Sequence, residues 1–343
     1  MMICRTAAAM TAIAWAALPA LAQTDPFYKG RTIKIVVGSG TGGGYDINAR
    51  VLARHMGRHV PGRPTFVIQN QPGAGSVIMT NAVYNTAPRD GTVIGAAING
   101  MPTAPLLTPK SVRFDVNKLI WIGSTNRDTQ VSYASHTTPV KNFDELTRTE
   151  LVVGATTPGT TQTDYPLVAN AFLGTKYKVI SGYKATKDIH IAMERGEVQA
   201  IGSNALLSLM ALNSDWVKDK KINVLLAFSA RRHPTLPDVP TVFELAKSDD
   251  DKRALRLMIG RLEYGRPFFL PPDVPEDRVA TLRRAFNRTM GDREFISEAR
   301  KAKLEISPMT GEEVAALITD LASTPKAIVD RVKAALKAGT TKR

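Results

Sequence analysis

The chain has 343 residues, with 45 Lys and Arg against 31 Asp and Glu, giving a net charge of +14. At about 150 residues per domain, that length suggests two domains, each able to bury its own core. Hydrophobic residues make up 43% and charged residues 22%, which excludes a disordered or collagen-like chain.

Residues 1–22 read as an export signal. Arg5 is their only charge, an Ala-rich apolar run follows, and Ala20-Leu21-Ala22 supplies an A-x-A cleavage site. A membrane anchor needs about 20 apolar residues, more than this run offers. A soluble mature chain beginning near Gln23 is therefore expected. Cleavage also removes Cys4, the only cysteine, which excludes thiolate zinc sites, cysteine nucleophiles and disulfides. A thiol-free chain suits an oxidising periplasm. Export and the scatter of Lys and Arg argue against nucleic acid. A positive field drawing in a small anion accounts for the basic excess, as does solubility alone.

Thr32–Val37 (TIKIVV) is β-branched and apolar and reads as a buried strand. Residues 38–44 form a Gly-rich loop, and a helix is expected from about Asp46, with Val51, Leu52, His55 and Met56 on its less polar face. Residues 65–69 (TFVIQ) give a second strand, ended by residues 70–76 (NQPGAGS). A helix follows through Ala82 and Tyr84, and the turn at residues 88–91 (PRDG) leads to a third strand. Residues 119–123 continue the pattern. This alternation predicts a mostly parallel sheet covered on both faces.

After a helix start at residues 143–146 the grammar begins again. Val36-Val37-Gly38 and Val152-Val153-Gly154 each lead into a loop of small residues, an Asp (Asp46, Asp164) and an apolar-periodic helix. Two similar α/β lobes are expected. Further strands are expected at residues 178–180, 198–201 and 222–227, and residues 236–241 and 266–275 read as rigid Pro-rich connections. Val279, Leu282, Phe286 and Met290 share one helix face, as do Val314, Leu317 and Leu321.

The first loop, GSGTGGGYD, contains a literal G-x-G-x-x-G at Gly38, Gly40 and Gly43. A dinucleotide site would need an acid about 20 residues on, where Gln69, Asn70 and Gln71 stand. The Lys-Ser/Thr of a phosphate-binding loop is also missing. What survives is the physics of glycine amides at a helix N-terminus, which suits an anion, with Asp46 able to cap the helix. The second loop, residues 156–164, sets Thr hydroxyls beside Gly159, and hydroxyls with amides hold a carboxylate without a buried counter-charge. Either loop also reads as a plain turn. His55 and His59 have the spacing of a zinc helix, but Met56 stands where the HExxH glutamate belongs. They read as partners of the helix dipole. There is no nucleophile elbow and no acid–base pair, so no catalytic residue, metal or cofactor is expected.

The segments GGGYDINARVLARHM, NQPGAGS, APRDGTVIG, GYKATKDIHIAMERGEVQA and LPDVPTVFE, in this order, resemble the substrate-binding receptors of tripartite tricarboxylate transporters, also called Bug receptors. The likeness runs from about Arg31 to at least Pro308. It implies a two-lobed periplasmic-binding-protein fold of type II topology closing on a small organic anion. By that likeness Ser39, Thr41, Gly42, Gly43, Gly44, Tyr45 and Asp46, with Ala74, Gly75 and Ser76, would line the first lobe's wall. Thr156, Thr157, Gly159, Thr160, Thr161 and Asp164, with Ser203 and Asn204, would line the second. Two departures bear on selectivity. Tyr45 would narrow the pocket or stack on the ligand. Asp164, near where relatives often carry a His or another polar residue, would repel an anion, select an amine or hydroxyl, or only cap its helix.

The expected organisation is a signal peptide at residues 1–22, a first lobe from 23–130 and 230–343 with C-terminal helices, and a second lobe from 131–229. The expected function is a monomeric periplasmic receptor, not an enzyme. It would capture a mono-, di- or tricarboxylate and deliver it to membrane permease subunits. A periplasmic sensor of the same fold, acting on a signalling partner, is the alternative. Gly42, Gly43 and Gly44 are expected to expose amides that Thr157, Thr160 and Thr161 face across the cleft.

Overall fold

A computed structural model describes residues 26–157 and 159–338. The expected signal segment, its cleavage point near Ala22, and Cys4 lie outside the described residues. Eleven strands are present among them: β1 (Thr32–Val37), β2 (Thr65–Asn70), β3 (Val93–Ala96), β4 (Ile120–Ser124), β5 (Gln130–Ser135), β6 (Leu151–Ala155), β7 (Tyr177–Ser181), β8 (Ala200–Ala205), β9 (Ile222–Phe228), β10 (Pro267–Leu270) and β11 (Met309–Thr310). They form two sheets, ordered β11-β4-β10-β3-β1-β2 and β7-β6-β8-β5-β9. Val36 and Val37 belong to the first sheet, Val152 and Val153 to the second.

The two sheets share one plan. In the first, β2, β1 and β3 run parallel, and antiparallel β10 separates β3 from β4. In the second, β7, β6 and β8 run parallel, and antiparallel β5 separates β8 from β9. This is the two-lobed α/β architecture of type II topology. Strands β5 and β10 are each the first to enter their sheet after the chain arrives from the other. Residues 266–275 are thus not the rigid connection expected from their prolines. Pro267 opens β10, where a missing N–H is tolerated, and Phe268, Phe269 and Leu270 fill the sheet's interior.

Side-chain alternation decides what covers each face. Ile33, Ile35 and Val37 of β1 pack with the helices Gly44–Met56 and Glu276–Met290, while Val36 packs on the opposite face with Val77, Val83 and Val314. In the second sheet, Leu151 and Val153 pack under the helix Thr161–Leu173. The helices Asp249–Ile259 and Lys326–Ala338 join that same cluster through Leu255, Met258, Val329 and Val332. In sequence these two helices lie in the 230–343 stretch, yet they cover the second sheet. The acidic run Asp249–Asp251 opens the first of them, behind the Ser248 cap, where the helix dipole favours negative charge. Among the described residues, no helix is long and apolar enough to cross a membrane.

One hydroxyl ties three strand ends together. Ser76, fully buried after β2, donates its Oγ to Gly38 O at the end of β1 (3.0 Å) and accepts from the Ile98 amide beyond β3 (2.9 Å). A Cβ on Gly38 would stand 2.2 Å from that Oγ, so only glycine fits. Ser76→Ala leaves a buried amide and carbonyl without this partner. It should lower unfolding stability by about 1–3 kcal/mol, read by urea denaturation; an unchanged midpoint would show that Ser76 does not hold the loops.

Candidate functional site

In sheets of this kind ligands meet the carboxyl ends of the parallel strands, where successive loops gather. The loop after β1 is organised by Asp46, which is 1% exposed. Its Oδ2 accepts from the Gly42 amide (2.8 Å) and Arg50 Nε (2.9 Å), and its Oδ1 from Asn70 Nδ2 (2.9 Å). Burial alone would raise this carboxyl. The bonds from Arg50, Gly42 and Asn70 outweigh burial and hold it below the usual range. Asp46 is thus a buried brace of the loop, with no free edge for a ligand.

The loop after β6 repeats the device more weakly. Asp164 Oδ1 accepts from the Gly159 amide (3.1 Å), and the donor glycines have positive φ in both loops, +80° at Gly42 and +87° at Gly159. Half-buried Asp164 lacks the paired guanidinium and the side-chain amide that Asp46 holds. Burial pushes its carboxyl up, against the Gly159 amide and the charge of Arg261.

The hydroxyls of the second loop are largely occupied. Thr160 Oγ1 donates to Thr157 O (2.8 Å), and Thr161 Oγ1 reaches Gln130 Oε1 (3.5 Å), which also accepts from Ser203 Oγ (3.3 Å). Thr156 Oγ1 lies 3.3 Å from Thr160 Oγ1. Ser203 and Asn204 are buried within β8, which continues to Ala205 and passes directly into the helix Leu206–Leu212. Asn204 Nδ2 donates to Tyr133 Oη (3.0 Å), whose oxygen lies 2.7 Å from His190 Nε2. Through these bonds the two residues brace the lobe's interior.

A cavity of about 380 Å³ opens between the two sheets. Ala74, Gly75 and Val77, with residues of the 98–108 stretch, line one side, and Gly159, Thr160 and Thr161 line the other, with Arg261 between. Five of the residues expected from sequence therefore meet: Ala74, Gly75, Gly159, Thr160 and Thr161. Ser39, Thr41, Gly42, Gly43 and Gly44 are not among the residues that line it, whereas Ala74 and Gly75 of the loop after β2 are. Ser39 Oγ is buried without a hydrogen-bond partner. Tyr45 does not stand in the cavity either. Its Oη accepts from the Asn99 amide (3.1 Å), and the Arg266 guanidinium lies 4.1 Å from its ring centroid. Residues 98–108 and Arg261 escaped the sequence reading. The loop after β3 occupies the same topological place as the other two, which is the signal that was available for it. Nothing local marks Arg261.

The histidine pair is also resolved. His59 Nε2 lies 2.8 Å from Asp292 Oδ2, and His55 Nε2 meets Glu298, so both pair with acids of the C-terminal region and not merely with a helix dipole. His55, Asp292 and Glu294 converge as metal ligands would. However, Arg58 bridges all three, through Asp292, Glu294 and His55 Nδ1. A guanidinium already fills the place a cation would take.

The two loop aspartates should respond oppositely to pH. Asp46, with its depressed pKa, contributes stability above about pH 4 that is lost as pH falls through its folded value. Asp164, with its raised pKa, contributes stability in acid that is lost as pH rises through its folded value. Asp46→Asn should therefore destabilise at pH 7 and less at pH 3, while Asp164→Asn should cost little or stabilise at pH 7. Denaturant midpoints at both pH values check this. Equal losses for the two variants at pH 7 would contradict it.

Comparison with known proteins accords with the fold. A "UPF0065 protein in gbd 5'region" from Cupriavidus necator is 26% identical over 340 residues, covering 95% of this chain and 94% of its own. A TctC solute binding protein from Polaromonas superposes with a TM-score of 0.70 at 19% identity, over 88% of this chain and 99% of that one. A Rhodopseudomonas palustris protein solved with adipate gives a TM-score of 0.60 at 18% identity, over 88% and 97%. The tripartite tricarboxylate transporter family receptor pattern matches residues 48–334. The chain belongs to that receptor family.

Proposed function

We propose that this chain is an exported, monomeric receptor that captures a small organic carboxylate between its two lobes and delivers it to the membrane permease of a tripartite transporter. It works in the periplasm, after removal of the signal segment near Ala22, and it is not an enzyme. The observation that carries this reading is the cavity between the sheets, with Ala74 and Gly75 on one side and Gly159, Thr160 and Thr161 on the other. The adipate of the Rhodopseudomonas palustris neighbour supports a carboxylate as ligand. Arg261 is the only ionisable residue among the described lining residues. Without an acid–base pair, that lining favours binding over turnover.

In this reading the second lobe is built on the 131–229 sheet and carries the helices Asp249–Ile259 and Lys326–Ala338 with it. The crossings after β4 and β9 act as its hinge. Asp46, Ser76 and Tyr45 serve the site by fixing loops, Asn204 braces the second lobe's interior, and the direct contacts belong to the five lining residues.

Native mass spectrometry of the purified protein should show one small acid per chain, released chemically unchanged. An altered product on release, or no acid bound from a carboxylate panel, would contradict the receptor reading. Gly75 has positive φ, and a Cβ there would meet no atom within 4 Å, so a side chain at this position enters open space beside the cavity. Gly75→Val should weaken binding of the identified acid by about tenfold or more, and Gly43→Val by less than about threefold. Calorimetry on both variants, with melting curves to confirm folding, decides whether the loop after β2 or the loop after β1 makes the contact.

A further inference from the structure

Arg261 is held in one pose while, among the described residues, its charged end has no partner. Its Nε donates to Tyr165 Oη (3.2 Å), and its guanidinium carbon lies 5.3 Å from the centroid of the same ring. Tyr165, fully buried, is itself fixed by donating to Met258 O (3.2 Å). Neither terminal nitrogen of Arg261 has a hydrogen bond or ion pair among the described residues; Asp164 feels the charge without forming an ion pair. Arg266, by contrast, is engaged with Asp128 Oδ2 (3.1 Å) and Gly265 O (2.8 Å).

The remaining cavity donors are fewer than the composition suggests. The hydroxyls of Thr103, Thr108, Thr160 and Thr161 all donate to protein oxygens. Val77, Ile98, Met101, Ala104 and Leu107 add apolar surface on the first-lobe side of the cavity. A guanidinium fork suits a carboxylate's two oxygens, and its attraction strengthens where water is displaced. A second or third carboxylate in the same cavity would be desolvated with no cation to meet it.

We infer that Arg261 anchors the ligand's carboxylate and that the preferred ligand is a monocarboxylate with an apolar body, in place of a di- or tricarboxylate. This rests on the receptor reading above and names the ligand class for that same site.

The test uses hexanoate, adipate and citrate as probes in calorimetry with the full mature chain. Wild type should bind hexanoate at least about tenfold more tightly than citrate. Arg261→Gln should weaken hexanoate by about tenfold to a hundredfold. Arg261→Lys, which keeps the charge but loses the fork, should recover part of that loss. Tyr165→Phe, which releases Nε but keeps the ring, should cost only a few-fold. Circular dichroism reports folding of each variant, and the Lys and Phe variants carry the test if the Gln variant does not fold. If wild type binds none of the probes, the receptor reading falls and this inference with it. If it binds them and the Arg261 variants match wild type, the anchor is wrong while the receptor stands. Citrate binding more tightly than hexanoate overturns the ligand class.

Discussion

The bond pair at Ser76 Oγ holds the ends of β1, β2 and β3 in one fixed relation, and the first lobe's half of the cavity depends on it. Amides can meet a ligand at a defined position only if the loops that carry them do not drift. Gly73, Ala74, Gly75 and Ser76 all have positive φ, a run that residues with side chains adopt only at a cost of about 1–3 kcal/mol each. The Ser76 bonds offset that cost by burying the hydroxyl between two backbone partners. Strain sits where Ala74 and Gly75 reach the cavity, and the strand ends beneath them are bolted.

The two lobes use related devices with different stiffness. Each loop before its helix is drawn in by an aspartate that accepts from a glycine amide. Asp46 adds Arg50 and Asn70 to that contact and is closed to solvent. Among the described residues, Asp164 accepts from the Gly159 amide and feels the charge of Arg261 without an ion pair to it. The braced loop lies outside the cavity and the looser loop lines it. A loop with fewer internal bonds adapts more cheaply to a ligand. Arg261 supplies what the looser loop lacks, a charge whose direction is already set by Tyr165.

The parallel strands were legible in the sequence because apolar β-branched runs followed by glycine loops are local signals. β1, β6 and β9 appear almost where their residues suggest. The antiparallel strands β5 and β10 were not legible. β10 opens with a proline and holds four residues, and β5 mixes Gln130, Ser132 and Ser135 with buried Val131 and Tyr133. Both exist because a crossing chain finds a vacant place in the other sheet, which is a tertiary cause. The same division runs through the site. Gly75 and Gly159 announce themselves by composition. Arg261 enters the cavity only because the helix Asp249–Ile259 packs on the second sheet, and no spacing in the chain encodes that contact. Ser203 and Asn204 were placed on the second lobe's wall by the resemblance alone, and they sit within β8. Gln130 and Tyr133 draw them into the interior of β8's lobe instead.

The central claim is that the ligand lies between the sheets and touches both. A crystal structure of the protein with its identified carboxylate tests this most directly. The account predicts the carboxylate beside Arg261, with Ala74 or Gly75 on one flank and Gly159, Thr160 or Thr161 on the other. A carboxylate held by one lobe alone, or bound outside this cavity, would contradict it.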